Sequence, residues 1–261
     1  MRRLGTLLRR HVYGKKRFEP AFRFLYHHAI AGLFTVGETF EGTGEAAVLD
    51  RLRSALPTEP VILDVGANLG AYSRVVLARF PTVSLHCFEP VPEAFALLKQ
   101  ALGDDPRVRL HPFGLSDESR RTLIYSSGVA GDSLASLHPG RSSGAVSQPI
   151  EVRRLEEVAP ELGITRIDFL KIDAEGHDLA VLRGAGDLLE KTHAIQFEFS
   201  DANIASRTFL HDFHVLLGER FDLFRVVRDG LVPLGPYTAS LEIFVAANYL
   251  ALHSDGGPGK T

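Results

Sequence analysis

Residues 63–73, LDVGANLGAYS, join an acidic side chain to two glycines at the end of an apolar run. Because glycine has no Cβ, the backbone at Gly66 and Gly70 can approach a ligand closely. A helix that follows such a turn offers free N–H groups to an anionic part of the ligand. Asp64 can accept from a cationic amine or order the turn. The segment predicts a small-molecule site, with candidate residues Asp64, Gly66, Asn68, Gly70 and Ser73.

The spacing of the glycines argues against a dinucleotide. An NAD-binding turn has the pattern G-x-G-x-x-G, whereas this chain has G-A-N-L-G. Nineteen residues after Gly70, Glu89 follows a second apolar run in CFEP. Its two acceptor oxygens can hold the adjacent hydroxyls of a ribose. Glu89 therefore predicts an adenosine-containing ligand, a feature that NAD enzymes share with enzymes using methyl donors.

Two further polar turns follow later strands. In GLSD, Ser116 and Asp117 lie where an adenine ring would contact the protein, although an ordinary turn explains them equally well. In KIDAEGHD, Asp173 and Glu175 precede His177, a side chain suited to accepting a proton near neutral pH. Glu175 and Asp178 can instead favour a helix N-terminus, and His177 can be a cap neighbour without a role. Glu198 adds a carboxylate at the end of the next strand.

Short β-rich runs alternate with helical stretches along most of the chain, which predicts a parallel sheet covered on both faces. The last two strands are joined by a connection too short for a crossover helix, so we expect them to pair antiparallel. Predicted strands are 61–65, 83–89, 108–113, 121–125, 167–173, 194–199, 221–227 and 240–247, and predicted helices are 43–56, 70–79, 91–102, 177–190 and 203–219.

Residues 126–149 contain thirteen Gly, Ser or Pro among twenty-four positions. So long a stretch without periodicity is either a lid over a site or a disordered insertion. We favour a lid, because the segment begins near the sheet edge where ligands bind.

The composition fits a folded chain rather than a disordered one. Of 261 residues, 45% are hydrophobic and 23% are charged, enough for one large α/β domain or two small ones. No apolar run approaches the roughly 20 residues that span a bilayer. The single cysteine, Cys87, cannot form an internal disulfide, and no secretory signal is visible, so we expect a reducing, cytoplasmic location.

Charge is distributed unevenly around a net value of −3. Residues 1–28 hold eight Lys or Arg against Glu19 alone, a local charge of +7, which leaves −10 for the remainder. This aromatic-rich basic stretch can contact an anionic membrane surface or an acidic partner. The favoured interpretation is a helical appendage that packs its aromatic side on the domain. Nucleic acid binding is not expected, because the acidic body would repel phosphates.

Together, LDVGANLGAYS, CFEP, GLSD, KIDAEGHD and FEF resemble, in that order, the FkbM family of S-adenosylmethionine-dependent methyltransferases. The resemblance covers about 60–247 and leaves 1–42 and 126–149 outside it. It implies a doubly wound α/β fold with a mostly parallel seven-stranded sheet whose last strand is antiparallel. With it we expect a basic N-terminal helical extension at 1–42, a methyltransferase domain at 43–250 and a flexible tail at 251–261.

The resemblance also implies an activity: O-methylation of a hydroxyl on a sugar, glycolipid or polyketide-like product, with S-adenosylmethionine as the cofactor. A protonated alcohol is a poor nucleophile, so a base is required, and His177 or Asp173 is the candidate, with Glu175 beside them. A divalent metal held by Asp173, Glu175 and Glu198 is an alternative that we do not favour. A catalytically silent adenosine-binding scaffold is the competing hypothesis, and a homodimer is left open.

Overall fold

The computed structural model describes residues 6, 9–34, 40–129, 131–132, 134–139 and 146–254. In this part of the chain, no helix is both long and apolar enough to cross a membrane.

A central eight-stranded sheet organises the fold. Its strand order is β10-β9-β11-β8-β7-β1-β2-β3. Strands β3, β2, β1, β7 and β8 are parallel neighbours, whereas β11 pairs antiparallel with both β8 and β9. The sheet strands are β1 (Val61–Val65), β2 (Ser84–Phe88), β3 (Val108–His111), β7 (Ile167–Ile172), β8 (Thr192–Phe199), β9 (Phe221–Val227), β10 (Gly230–Pro233) and β11 (Ala247–His253).

A smaller three-stranded sheet stands beside the first, in the order β4-β6-β5. Its strands are β4 (Gly114–Leu115), β5 (Arg120–Ser126) and β6 (Val146–Arg153). Strand β6 pairs antiparallel with β5 and parallel with β4. Because β6 begins at Val146, the predicted insertion at 126–149 ends in regular structure, which the sequence analysis missed.

Helices cover both faces of the central sheet. The α-helices are α1 (Glu19–Leu33), α2 (Phe40–Thr43), α3 (Glu45–Arg53), α4 (Ala71–Arg79), α5 (Pro92–Leu102), α6 (Leu155–Leu162), α7 (Asp178–Gly184), α8 (Ala202–Ser206) and α9 (Leu210–Leu217). Short 3-10 helices span Lys16–Phe18, Gly186–Lys191 and Ala239–Leu241.

The core divides between the two faces of the sheet. On one face Leu63 and Leu170 pack with α6, α7 and α9, and on the other Ile62 and Phe169 pack with α3, α4 and α5. Every residue of β7 is buried, as expected for a parallel strand covered on both sides. The predicted doubly wound α/β fold is therefore confirmed.

The sheet has eight strands rather than the seven predicted, because β10 adds a hairpin to β9. The last strand is antiparallel as predicted, but it spans 247–253 rather than 240–247. Residue Glu242 explains the shift: its carboxylate accepts from the backbone N–H groups of Leu210 and His211 at the start of α9. The strand also reaches into the tail predicted to begin at 251, so that boundary is wrong.

The helix predicted at 203–219 is two helices, α8 and α9. Arg207 has a left-handed backbone (φ 56°) that ends the first. The Asp212 side chain then accepts from the Phe209 N–H at the start of the second. Local capping chemistry breaks a pattern that periodicity alone presents as continuous.

The N-terminal extension forms the predicted helix, α1, but its aromatic side does not pack on the domain. None of its residues is buried, and Phe22, Phe24 and Tyr26 are exposed. The favoured interpretation of this segment is wrong on that point.

Candidate active site

A cleft opens at the carboxyl edge of the parallel strands. Its floor is formed by the turns that follow β1, β2 and β7, and its roof by β5, β6 and residues between them. Ligands bind at this edge in doubly wound sheets, because the turns there present backbone and polar side chains without a covering strand. The motifs LDVGANLGAYS, CFEP and KIDAEGHD therefore come together at one cleft.

The turn after β1 requires glycine at position 66. Gly66 has φ +81°, and a Cβ at this position would overlap the carbonyl oxygen of Asp173 in the neighbouring turn. Its N–H and that of Ala67 both donate to the Phe88 carbonyl, at 3.0 and 3.1 Å. The turn after β1 is thus held between the end of β2 and the turn after β7.

Asn68 lies at the tip of this turn and faces the cleft. Its backbone is left-handed (φ 48°), a conformation that asparagine tolerates better than most residues. The side-chain Oδ1 is buried, and among the described residues it has no hydrogen-bond partner. A buried acceptor of this kind is costly unless a ligand donates to it.

Glu89 lies at the end of β2 with both carboxylate oxygens engaged. Oε2 accepts from the Asn68 N–H at 2.9 Å and Oε1 from the Val91 N–H at 2.8 Å. Burial raises the pKa of Glu89 to about 7, and these two bonds act against the rise. Each oxygen keeps a second lone pair, so the carboxylate can still accept from a ligand in the cleft.

Asp64 lies behind the cleft rather than in its wall. It is buried and accepts a 2.6 Å hydrogen bond from Ser73, whose hydroxyl also lies 3.2 Å from the Cys87 sulfur. Burial raises the pKa of Asp64 to about 6, while Ser73 and Lys171 lower it. Asp64 and Ser73 therefore order the turn, which is one of the two roles open to Asp64 from the sequence.

A buried lysine joins the strand to its turn. Lys171 Nζ donates to Asp173 at 3.1 Å, lies 3.9 Å from Glu45 and sits 5.3 Å from the centre of the Tyr72 ring. Burial alone would lower the pKa of Lys171, yet the surrounding carboxylates, Asp173 first, hold it above its usual value. Lys171 thus remains charged and fixes the Asp173 carboxylate, whose side chain is 44% exposed.

His177 belongs to a chain of hydrogen bonds leading away from the cleft. Its Nε2 lies 2.9 Å from the Ser116 hydroxyl, which donates to Asp117 at 3.1 Å. Because the hydroxyl proton is used there, His177 Nε2 must be the donor to Ser116. Burial, reinforced by His138, lowers the pKa of His177 to about 4. The imidazole is neutral at physiological pH and weakly basic.

Asp178 ties the β7 turn to the next strand. It is fully buried, and its Oδ1 accepts from the Glu198 N–H at 3.1 Å. Burial raises the pKa of Asp178 to about 6, and burial together with Asp173 and Asp178 raises that of Glu198 to about 7. This edge of the sheet therefore carries excess negative potential, which favours a cationic group nearby.

Part of the predicted lid, in its described residues, does cover the cleft. Ser136 pairs with Tyr125 through two 2.9 Å backbone bonds and donates its hydroxyl to the Glu175 carbonyl at 2.9 Å. The Asn68 amide reaches the Gly131 carbonyl at 3.4 Å, and the His138 ring lies 5.8 Å from that of His177. The segment therefore touches two of the three turns that form the floor, those after β1 and β7.

The predicted site residues divide into two groups. Six line the cleft: Gly66, Asn68, Glu89, Asp173, Glu175 and His177. Five do not line it: Asp64, Gly70, Ser73, Ser116 and Asp117. Residues of the second group lie outside the lining of the cleft. Gly70, for example, leaves room for the side chains of Leu98 and Leu102 of α5. Among the described residues, no cluster of three or more His, Cys, Asp or Glu is arranged to hold a metal.

Sequence reasoning missed two features of the site. Lys171 received no role, although a lysine inside a predicted buried strand, IDFLKI, was a signal for a paired, buried charge. The apolar roof was also missed, because Ile124, Ile150 and Val152 come from a sheet that the sequence did not predict.

Fold and cleft define the chain as a Rossmann-like α/β protein with a cleft at the carboxyl edge of its parallel strands. A family model described as "Methyltransferase FkbM domain" matches residues 64–222, more than half of the chain. The chain therefore belongs to the FkbM methyltransferase domain family.

Relatives with described activities share this domain. The 2-O-methyltransferase NoeI of Sinorhizobium fredii is 32% identical over 161 residues, covering 56% of this chain and 65% of that protein. The 31-O-demethyl-FK506 methyltransferase FkbM of Streptomyces tacrolimicus is 29% identical, covering 52% and 64%. The matched region thus spans a little under two thirds of these relatives.

Among solved structures, the O-methyltransferase TomG of Streptomyces achromogenes, in complex with SAM, matches with a TM-score of 0.44 at 14% identity. The match covers 80% of this chain and 79% of that one. A likeness this weak does not assign a function.

Proposed function

We propose that this protein is an S-adenosylmethionine-dependent O-methyltransferase that acts on a hydroxyl of a sugar, glycolipid or polyketide-like product. The observation that carries the proposal is Glu89, a buried carboxylate that faces the cleft beside a turn where only glycine fits. A ribose offers two adjacent hydroxyl donors to such a carboxylate.

The residues of the cleft fit the proposed cofactor in three ways. Glu89 can accept from the ribose hydroxyls, Asn68 Oδ1 is a buried acceptor in need of a donor, and Gly66 lets the turn after β1 pack against Asp173 so that both turns line the cleft. The negative potential around Asp173 suits the positive charge of a sulfonium. Bound S-adenosylmethionine would supply an activated methyl group.

The activities named for the relatives support oxygen as the acceptor. NoeI is described as a 2-O-methyltransferase and FkbM as acting on 31-O-demethyl-FK506, while AglP of Haloferax volcanii is described as a hexuronic acid methyltransferase. Sugars and a polyketide-like compound are thus the acceptor classes that we carry to this chain.

The chain must also take a proton from the acceptor hydroxyl as it attacks. Asp173 suits this role best, because its carboxylate is 44% exposed at the cleft and Lys171 holds it in place. Glu175 and His177 line the same wall. We assign Asp173 as the base and the other two as positioning residues.

A screen of hydroxylated acceptors with a labelled methyl donor, run with and without EDTA, tests the proposal. We expect label in at least one sugar or polyketide-like acceptor and no effect of EDTA. Tight cofactor binding without transfer to any acceptor would favour the alternative, a silent adenosine-binding scaffold. Loss of transfer in EDTA would establish a metal requirement.

Two expectations about the whole protein remain proposals. A reducing, cytoplasmic location is supported by the buried free thiol of Cys87, whose pKa burial raises. The homodimer stays a prediction, which sedimentation velocity of the purified chain checks.

A further inference from the structure

Helix α1 projects from the domain with almost no contact to it. Of its fifteen residues, only Ile30 is even partly buried, and it packs at the edge of the core. Directly after the helix, Phe34 is buried, with the Arg225 guanidinium 4.5 Å from its ring centre. The helix is therefore anchored at its C-terminal end and solvated along its length.

One side of α1 is an apolar stripe that faces solvent. At 100° per residue, Phe22, Leu33 and Tyr26 fall within about 40° of one another around the axis, and Leu25 lies about 60° to the other side. Phe22 is 39% exposed and Tyr26 59%. A stripe about 100° wide normally packs on a core. Because the stripe on α1 does not contact the core, it needs another apolar environment.

Positive charge adjoins the stripe. Lys15, Lys16 and Arg17 precede it along the chain and Arg23 lies on one side of it, all of them exposed. The one acidic residue, Glu19, is paired with Arg23 at 2.6 Å. An environment that matches both features must combine an apolar layer with negative charge.

We propose that α1 lies in the interface of an anionic lipid bilayer, with the apolar stripe (Phe22, Leu25, Tyr26 and Leu33) in the acyl boundary and the basic residues at the headgroups. Apolar helix faces with adjoining basic residues bind anionic membranes in this way. A second copy of the chain would present a body with a net charge of −10, but a charged protein surface does not remove aromatic rings from water. This proposal is independent of the proposed function.

Cosedimentation of the full chain with vesicles tests it, comparing phosphatidylcholine alone with phosphatidylcholine plus phosphatidylglycerol. We expect binding to the anionic vesicles, weakened when salt rises from about 50 to about 500 mM. Phe22→Ser and Tyr26→Ser should each weaken it about tenfold or more, because each removes a large apolar group from the interface. Circular dichroism checks that the variants fold.

The matched control is Phe24→Ser. Phe24 is 60% exposed but points about 160° away from Phe22, so it should matter little. Equal losses from Phe22→Ser and Phe24→Ser would overturn the proposal, as would absent binding or equal binding to neutral vesicles. So would a dimer in sedimentation velocity that Phe22→Ser dissociates, because the stripe would then pair with another copy.

Discussion

Asp173 and His177 occupy one turn, yet their surroundings suit them to different roles. The Asp173 carboxylate is open to the cleft and receives its hydrogen bond from a lysine that stays charged. His177 donates Nε2–H to Ser116, and burial lowers its pKa to about 4. The Nε2 of His177 is therefore committed to Ser116, whereas the Asp173 carboxylate stays open to the hydroxyl of an acceptor.

Accordingly, Asp173→Asn should lower kcat by roughly 100-fold or more, since proton transfer contributes about 10² to 10⁴ in rate. His177→Ala, the matched comparison in the same turn, should change kcat by less than about tenfold. Steady-state kinetics on an acceptor found in the screen measures both. The reverse order of effects would move the role of base to His177.

Among the structural elements, the turns after β1 and β7 depend on each other. A Cβ at position 66 would overlap the Asp173 carbonyl oxygen, and the Asp173 N–H donates to the Val65 carbonyl at 2.9 Å. The two walls of the cleft that these turns form are therefore set at a fixed separation. A side chain at position 66 would force them apart.

We expect Gly66→Ala to cost about 2–4 kcal/mol of unfolding free energy and to weaken cofactor binding by at least about tenfold, because it adds both backbone strain and overlap. Gly163→Ala is the control: its φ is +71°, but nothing lies within 4 Å of the added Cβ. Chemical denaturation and calorimetry measure the two effects. Similar losses in both variants would show that strain alone, and not the contact with Asp173, matters at position 66.

Across the whole molecule, the buried charge of Lys171 links β7 and its turn to two helices that cover one face of the sheet. It lies on β7 and reaches Glu45 of α3, the Tyr72 ring of α4 and Asp173 of its own turn. Removing one partner of a buried charge network leaves the others uncompensated. Without Lys171, the carboxylates around it would lack a compensating cation, which lowers the stability of the folded state.

Lys171→Met should therefore lower the unfolding free energy by about 3–5 kcal/mol at pH 8. The folded-state pKa of Asp64, already raised from 3.8 to about 6, should rise further without this cation. A carboxylate with a raised folded pKa binds a proton more readily in the folded than in the unfolded state, so the loss should shrink as pH falls from about 8 to about 6. Urea denaturation across this range measures it.

The control for this prediction is Lys191→Met, because Lys191 is exposed. It should be nearly neutral at every pH. A loss in Lys171→Met that does not change with pH would contradict the electrostatic explanation and point to packing alone.

The sequence predicted the parallel half of the sheet well, because strands buried on both faces leave a strong apolar signal. The parallel strand at 61–65 has the predicted bounds, and so does the antiparallel strand at 221–227. The signal failed where tertiary contacts decide: Glu242 is drawn to the start of α9, and β6 lies in a segment rich in Ser and Gly. For the site, motifs located the turns, but which side chains face the cleft depends on burial that no motif encodes, as Asp64 shows.

The central claim is that Glu89 and the glycine turn form the binding site for S-adenosylmethionine. A calorimetric titration at pH 8, above the pKa of about 7 that burial gives Glu89, tests it on the wild type, Glu89→Ala and the exposed control Glu59→Ala. Loss of charged hydrogen bonds worth about 2 kcal/mol should weaken Kd about 30-fold in Glu89→Ala and leave Glu59→Ala unchanged. Wild-type affinity in Glu89→Ala would contradict the claim.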